Sequence, residues 1–273
     1  MSKGLAKAEY IQTKGAVVSG APNWDYLYQV STVKDALHAI GDRVVTPDGR
    51  VFRYALAGTG GVQSEWGAAQ SLKTIDVAVA PAQVTDAGAV GSTTLSLTVN
   101  AGAGSLGTGA FALDELRGGY VVIGNGNAQH PQMRYITGNV AKIAGAGTIT
   151  VSLDASLTAA VSVGVTTIET MTNPYAFMVP GAGGYQTFLG IPARTATVGQ
   201  YFWLQTWGPC WITSNSATCN GVGDRTIVFA ANGSVVSSDD ITVESGLQIA
   251  GVAMDASSAG ASNAPMVMLQ ISI

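Results

Sequence analysis

At 273 residues, with 13 Lys and Arg against 17 Asp and Glu and a net charge of −4, the chain carries no basic surplus, which argues against a nucleic-acid partner. Charged residues make up only 11% of it, against roughly 25% in ordinary globular proteins, and mean hydropathy is +0.29; yet no apolar run reaches the about 18 residues of a membrane helix. A chain of this length can bury two cores, and one this poor in charge suits a subunit partly covered in an assembly better than a lone monomer.

In chain order, Lys3, Lys7 and Glu9 break up the start. No Sec-type signal peptide is expected, and the chain is predicted to be made in a cytoplasm. Residues 1–40 show no clear period and read as an extended N-terminal arm. Within it, Thr32-Val-Lys-Asp35 predicts a short capped helix over 33–40, with Gly41 as its C-cap. Next, Pro47-Asp48-Gly49 between β-rich runs predicts a hairpin over 43–54. Two strands are too few to stand alone, so 41–72, including the loop that ends near Trp66, are expected to pack with the C-terminal module.

From 73 to 173 short strand-like runs alternate with glycine: 75–79, 93–99, 120–123, 133–137, 148–153 and 161–170. Strict alternation in the second points Leu95, Leu97 and Val99 inward. Glycine and β-branched residues interrupt every window long enough for a helix, so this segment is predicted to be an inserted small β-barrel. Residues 173–184, rich in Pro and Gly, form the connector. The module from 174 to 273 is again read as strands, at 186–189, 193–198, 201–207, 226–230, 246–254 and 266–273, and the last of these must be docked in a sheet. The predicted fold is all-β: two small β-barrel or sandwich modules with an extended N-terminal arm.

The densest stretch lies at 195–223, which has no Asp, Glu, Lys or Arg and holds three of the five tryptophans. As a strand, 201–207 puts Tyr201, Trp203, Gln205 and Trp207 on one face and Phe202, Leu204 and Thr206 on the other, with Gly208-Pro209 as its end. Both faces are apolar. The strand is therefore either central in a module or covered by another subunit. Interface cores are poor in charge and rich in aromatics, so Tyr175, Phe177, Tyr201, Trp203, Trp207 and Trp211 are the predicted oligomer interface. Closed symmetry makes a homo-oligomer the expected state.

Residues suited to chemistry are sparse. His38 and His130 lie in different predicted modules, with no second ligand at metal spacing, and both read as ordinary surface residues. Cys210 and Cys219 could close a small ring or remain free thiols, the latter being usual in a reducing compartment. The pairs Asp114-Glu115 and Asp239-Asp240 are neighbours, so on a strand they would face opposite ways. Gly124-Asn-Gly126 lacks the Lys and Ser/Thr of a phosphate loop. No catalytic, metal or cofactor site is predicted, and no enzyme activity.

Several phrases together resemble structural proteins of tailed bacteriophages: Gly41-Asp-Arg-Val-Val-Thr-Pro-Asp-Gly-Arg-Val-Phe-Arg-Tyr54, Gly119-Tyr-Val-Val-Ile-Gly-Asn-Gly126, Met133-Arg-Tyr-Ile-Thr-Gly-Asn139, Gly199-Gln-Tyr-Phe-Trp-Leu-Gln-Thr-Trp-Gly-Pro209 and Ile249-Ala-Gly-Val-Ala253. The resemblance implies an accessory virion protein, a capsid decoration or cement protein on the outside of the head, with the major capsid protein as partner; the six residues named above are then an oligomer or capsid interface, and the threefold sites of a shell favour a trimer over a dimer. Within the same class it also allows a tail or head-fibre component. A glycan-binding attachment module is the expectation from a different class, with Trp24 or Trp66 as stacking platforms.

Overall fold

The computed structural model describes residues 24–71, 82–83, 88–101, 108–125, 132–162, 166–181, 186–214, 225–238, 248–254 and 265–272. Among these, strand dominates, with a 3-10 turn at Asp25–Tyr28. The protein is all-β, built on two curled antiparallel sheets. It divides into two compact units: unit 2 spans 71–176, and unit 1 joins the residues before it to those after it.

The strands of unit 1 are β1 (Arg43–Val45), β2 (Val51–Leu56) and β3 (Ala68–Ala69) before the insertion, and β10 to β16 after it. These last are β10 (Val179–Pro180), β11 (Phe188–Pro192), β12 (Tyr201–Trp211), β13 (Thr226–Phe229), β14 (Val235–Ser237), β15 (Ile249–Ala253) and β16 (Met266–Gln270). The sheet order is β10-β3-β11-β12-β16-β15-β13-β14, with β2 also laid along β12 and β1 along β2. Unit 2 holds β4 (Ala82–Gln83), β5 (Thr94–Val99), β6 (Tyr120–Asn125), β7 (Gln132–Asn139), β8 (Gly147–Leu153) and β9 (Thr166–Met171), in the order β4-β9-β6-β7-β8-β5.

Local chemistry accounts for the elements. The hairpin pairs Arg43 with Arg53 and Val45 with Val51, and Gly49 turns the corner at φ 84 while its N–H donates to Thr46 O. The Thr46 hydroxyl donates to the Asp48 carboxylate; this bond, with further help from Arg50, holds that carboxyl below its usual range. Along β5, Leu95, Leu97 and Val99 are buried on one face, as strict alternation requires. They join Phe111, Leu116, Val121, Ile123, Ile136, Ile149, Val151 and Ile168 in one core. Unit 1 has one cluster around Phe188, Cys210, Ile212, Phe229, Val267 and Leu269, and another around Leu27, Val44, Phe52, Tyr54 and Trp203.

Several expectations need correction. Residues 33–40 are turns and not a helix, because side chains capture the backbone donors: Asp35 takes the Leu37 N–H, Asp42 the Ala39 N–H, and the Tyr54 hydroxyl accepts from Asp35 N–H. The described part of the arm, from 24 on, is folded onto the sheet: Ser31 bridges Tyr201 and Leu27 is buried. Its preceding residues lie outside the described set, as does the 75–79 strand. The run 193–198 is no strand; Gln200 N–H donates to Thr197 O, a turn that leaves only Ala196 bridged, to Val62. The predicted run 161–170 starts as an isolated bridge at Val161, and its strand runs from Thr166 to Met171.

Candidate interaction surface

β12 is the spine of unit 1. It pairs with β2 from Tyr201 to Trp207, with β11 at Leu204 and Gln205, and with β16 from Trp207 to Trp211. Gly208-Pro209 therefore does not end it. β2 leaves at Trp207, so the proline falls where the described pairing is on β16 alone, a position that tolerates a missing donor. The carbonyls there are not wasted either, since Gln205 Nε2 donates to those of Trp207, Gly208 and Pro209 at 3.2, 3.3 and 2.8 Å.

The register slips between Gln205 and Trp207, where the strand carries an extra residue. Before the slip Gln205 faces Phe52; after it Trp207 faces Val51, whose side chain takes the other side of β2. Trp203 and Trp207 thus lie on opposite faces, not on the same face as simple alternation predicts. Thr206, the residue at the slip, is tied to the chain's end: its hydroxyl donates to Ser272 O at 2.6 Å, and its carbonyl accepts from Ile271 and Ser272 N–H.

The first half of the aromatic face is closed by the chain itself. Trp203 is 4% exposed, set edge-on to Tyr26 at 5.7 Å and to His38 at 4.9 Å, with Tyr54 at 5.1 Å. Tyr201 stacks on Tyr54 at 5.7 Å and is half-buried. Burial, with the charge of Asp35, pushes the Tyr26 hydroxyl up to about 12, and burial does the same for Tyr54. His38 is a packing residue of this cluster, buried and near Asp42, and not the surface residue its sequence context suggests.

The second half is different. Beyond the slip, Trp207, Pro209 and Trp211 share a face by alternation, and their partners across β16 are Gln270, Met268 and Met266. β15 extends the row: Val252 stands opposite Met268, and Met254 donates its N–H to Met266 O. Thr226 of β13 follows, opposite Val252. Trp211 is 51% exposed, and Met266, Met254 and Val252 are exposed as well. This four-strand face carries no charged residue and lies opposite the core side of Cys210, Val267, Leu269 and Ala253.

The six predicted interface residues are therefore dispersed. Trp207 and Trp211 lie on the open face, Tyr201 is half-covered, and Trp203 is withdrawn into the core, where it offers nothing to a partner. Tyr175 and Phe177 belong to the connector, where Tyr175 N–H donates to Asn173 Oδ1 and Phe177 turns at φ 58; neither lies on this face. Missed from sequence were Met254, Met266 and Met268, although the alternation in Met266-Val-Met-Leu-Gln270 already separates Met266 and Met268 from Val267 and Leu269. Trp24 and Trp66, the glycan platforms considered, are both half-buried, Trp24 against the Trp203 cluster.

The groups examined for chemistry are committed elsewhere or fall outside the described residues. Burial pushes the Cys210 thiol up to about 12, which keeps it protonated and poorly nucleophilic. Asp114 accepts from Asn139 N–H and Glu115 from Ala112 N–H, so both serve a turn. His130, Cys219, Asp239 and Asp240 lie outside the described residues, and with them the question of a Cys210–Cys219 bridge. No family model, curated protein or solved structure matches the chain.

Proposed function

We propose that the chain is an accessory structural subunit of a tailed-bacteriophage virion, a decoration or cement protein that binds the outside of the head and bridges copies of the major capsid protein. The observation that carries this reading is the uncharged outer face of β12, β16 and β15, where Trp211, Met266 and Met254 stand in a cross-strand row open to solvent. Large apolar patches of this kind mark surfaces that become covered. Its Trp and Met content matches interface cores. The phrases that resemble phage structural proteins narrow the class to the virion, and such a role asks for binding alone.

The same face suits a homo-oligomer, a trimer at the threefold sites of a shell. A patch without charge meets a copy of itself without like-charge repulsion, even in an acidic chain. Copies per purified virion test the reading: hundreds support decoration, whereas a few to a few tens would replace it with a tail or head-fibre component. Absence from the virion would overturn it. Light scattering on the free protein tests self-association separately.

A further inference from the structure

Unit 2 carries a feature that the role of the unit 1 sheet face leaves unexplained. At the tip of the β7–β8 hairpin the usual placement of charge and apolar surface is reversed. Ile143 is 88% exposed, whereas its neighbour Lys142 is half-buried. Lys142 folds under the loop, and Nζ donates to the carbonyls of Gly109 and Ile143, both at 3.0 Å, and to that of Gly145. Three donors are all an ammonium has. The loop is held further by Gly145 N–H on Thr108 O and by the two bonds that join Phe111 and Lys142. Beside it, Leu113 and Val140 are exposed, on segments joined by Asp114 N–H on Asn139 O. Ala141, Ala144 and Ala146 complete the tip.

We propose that this loop is a preformed plug: Ile143, supported by Leu113 and Val140, inserts into an apolar socket of a protein partner, and Lys142 is the positioning residue that holds it outward. The proposal rests on the reading of the chain as a head-bound subunit, so the socket belongs to the shell. Held by its lysine, the loop loses little freedom on binding, which is what lets one small side chain act as a hot spot. Charge selects protein over lipid. The two cations of the tip, Lys142 and Arg117, are matched by two carboxylates, Asp114 and Glu115, so there is no cationic surplus to draw an anionic bilayer to an acidic chain. With the ammonium folded beneath the loop, the side chains presented outward are Ile143 and its neighbouring alanines, which call for an apolar socket.

The test measures binding of the purified full chain to heads of the encoding phage assembled without it. Ile143→Asp should weaken binding about 30-fold or more, the size of a hot-spot loss. Ile143→Val should bind nearly as wild type. Lys142→Met keeps every apolar group yet should weaken binding several-fold, with the circular dichroism spectrum and melting temperature of the free protein little changed. Wild-type affinity in Ile143→Asp would overturn the plug while leaving the head-bound reading intact. Failure of the wild type to bind heads would overturn that reading and the shell socket with it. Two other results overturn the protein socket: Ile143-dependent binding to phosphatidylglycerol vesicles, which would favour lipid, and Ile143-dependent self-association, which would favour a second copy.

Discussion

Residues 201–205 and 207–211 are consecutive stretches of one strand, similar in composition, and they have opposite fates. In the first, the aromatic side is sealed by the chain's own 24–40 segment and hairpin, so Trp203 contributes to folding. In the second, the phase has changed, the core takes Cys210, and Trp207 and Trp211 are turned outward. The comparison teaches that an aromatic strand declares an apolar need without saying who meets it. Here the same chain meets the need along one half, and the other half stays open to solvent at Trp211.

The largest test of this contrast is Trp203→Ala, which should cost about 3 to 5 kcal/mol of stability through the cavity it leaves. Chemical denaturation would read it, and a loss below about 1 kcal/mol would show that the first half is not enclosed. Trp211→Ala should do the reverse. Folding stability should change by no more than about 0.5 kcal/mol, as at other surface sites, while self-association weakens by about 2 kcal/mol or more, measured by analytical ultracentrifugation. Unchanged association would remove the outer face from the oligomer.

A smaller effect sharpens the role of the hairpin as cover. At Gly49 an added Cβ meets open space, so Gly49→Ala should cost only the left-handed strain, about 1 kcal/mol, and Gly49→Asn less. Thermal melting of both variants would show that order. Least visible at neutral pH is the alkaline limb. Tyr26, Tyr54 and Cys210 all have folded values pushed up to about 12, above the ordinary 10.0 of tyrosine and 9.0 of cysteine. The folded chain keeps these protons where the unfolded chain has lost them. Their stabilisation is therefore full below pH 9 and is lost as pH rises from 9 toward 12, with the Cys210 thiol slow to alkylate until then. A stability that is flat or rising over that range would contradict the burial of the first half.

Much of this was legible in the residues. Pro47-Asp48-Gly49 specifies its hairpin through the φ that each residue prefers, and the alternation of Leu95, Leu97 and Val99 gives their inward face, because side chains on a strand repeat every two residues whatever surrounds them. The absence of charge over 195–214 likewise marks an apolar strand, part of which the chain encloses itself. Sequence alone could not show that the arm's described part would do part of that covering, because its capping-box pattern was overridden when Asp42 accepted from Ala39 N–H and Tyr54, which only folding brings near, accepted from Asp35 N–H. Nor could it place Trp203 and Trp207 on opposite faces. Their spacing of four predicts one face, and the extra residue that separates them is held by Thr206 against Ser272, a contact between positions 66 residues apart. Period and turn chemistry are local and can be read in order along the chain; the register that decides which tryptophans are core and which are surface depends on partners far away in sequence, β2 on one side and Ser272 on the other.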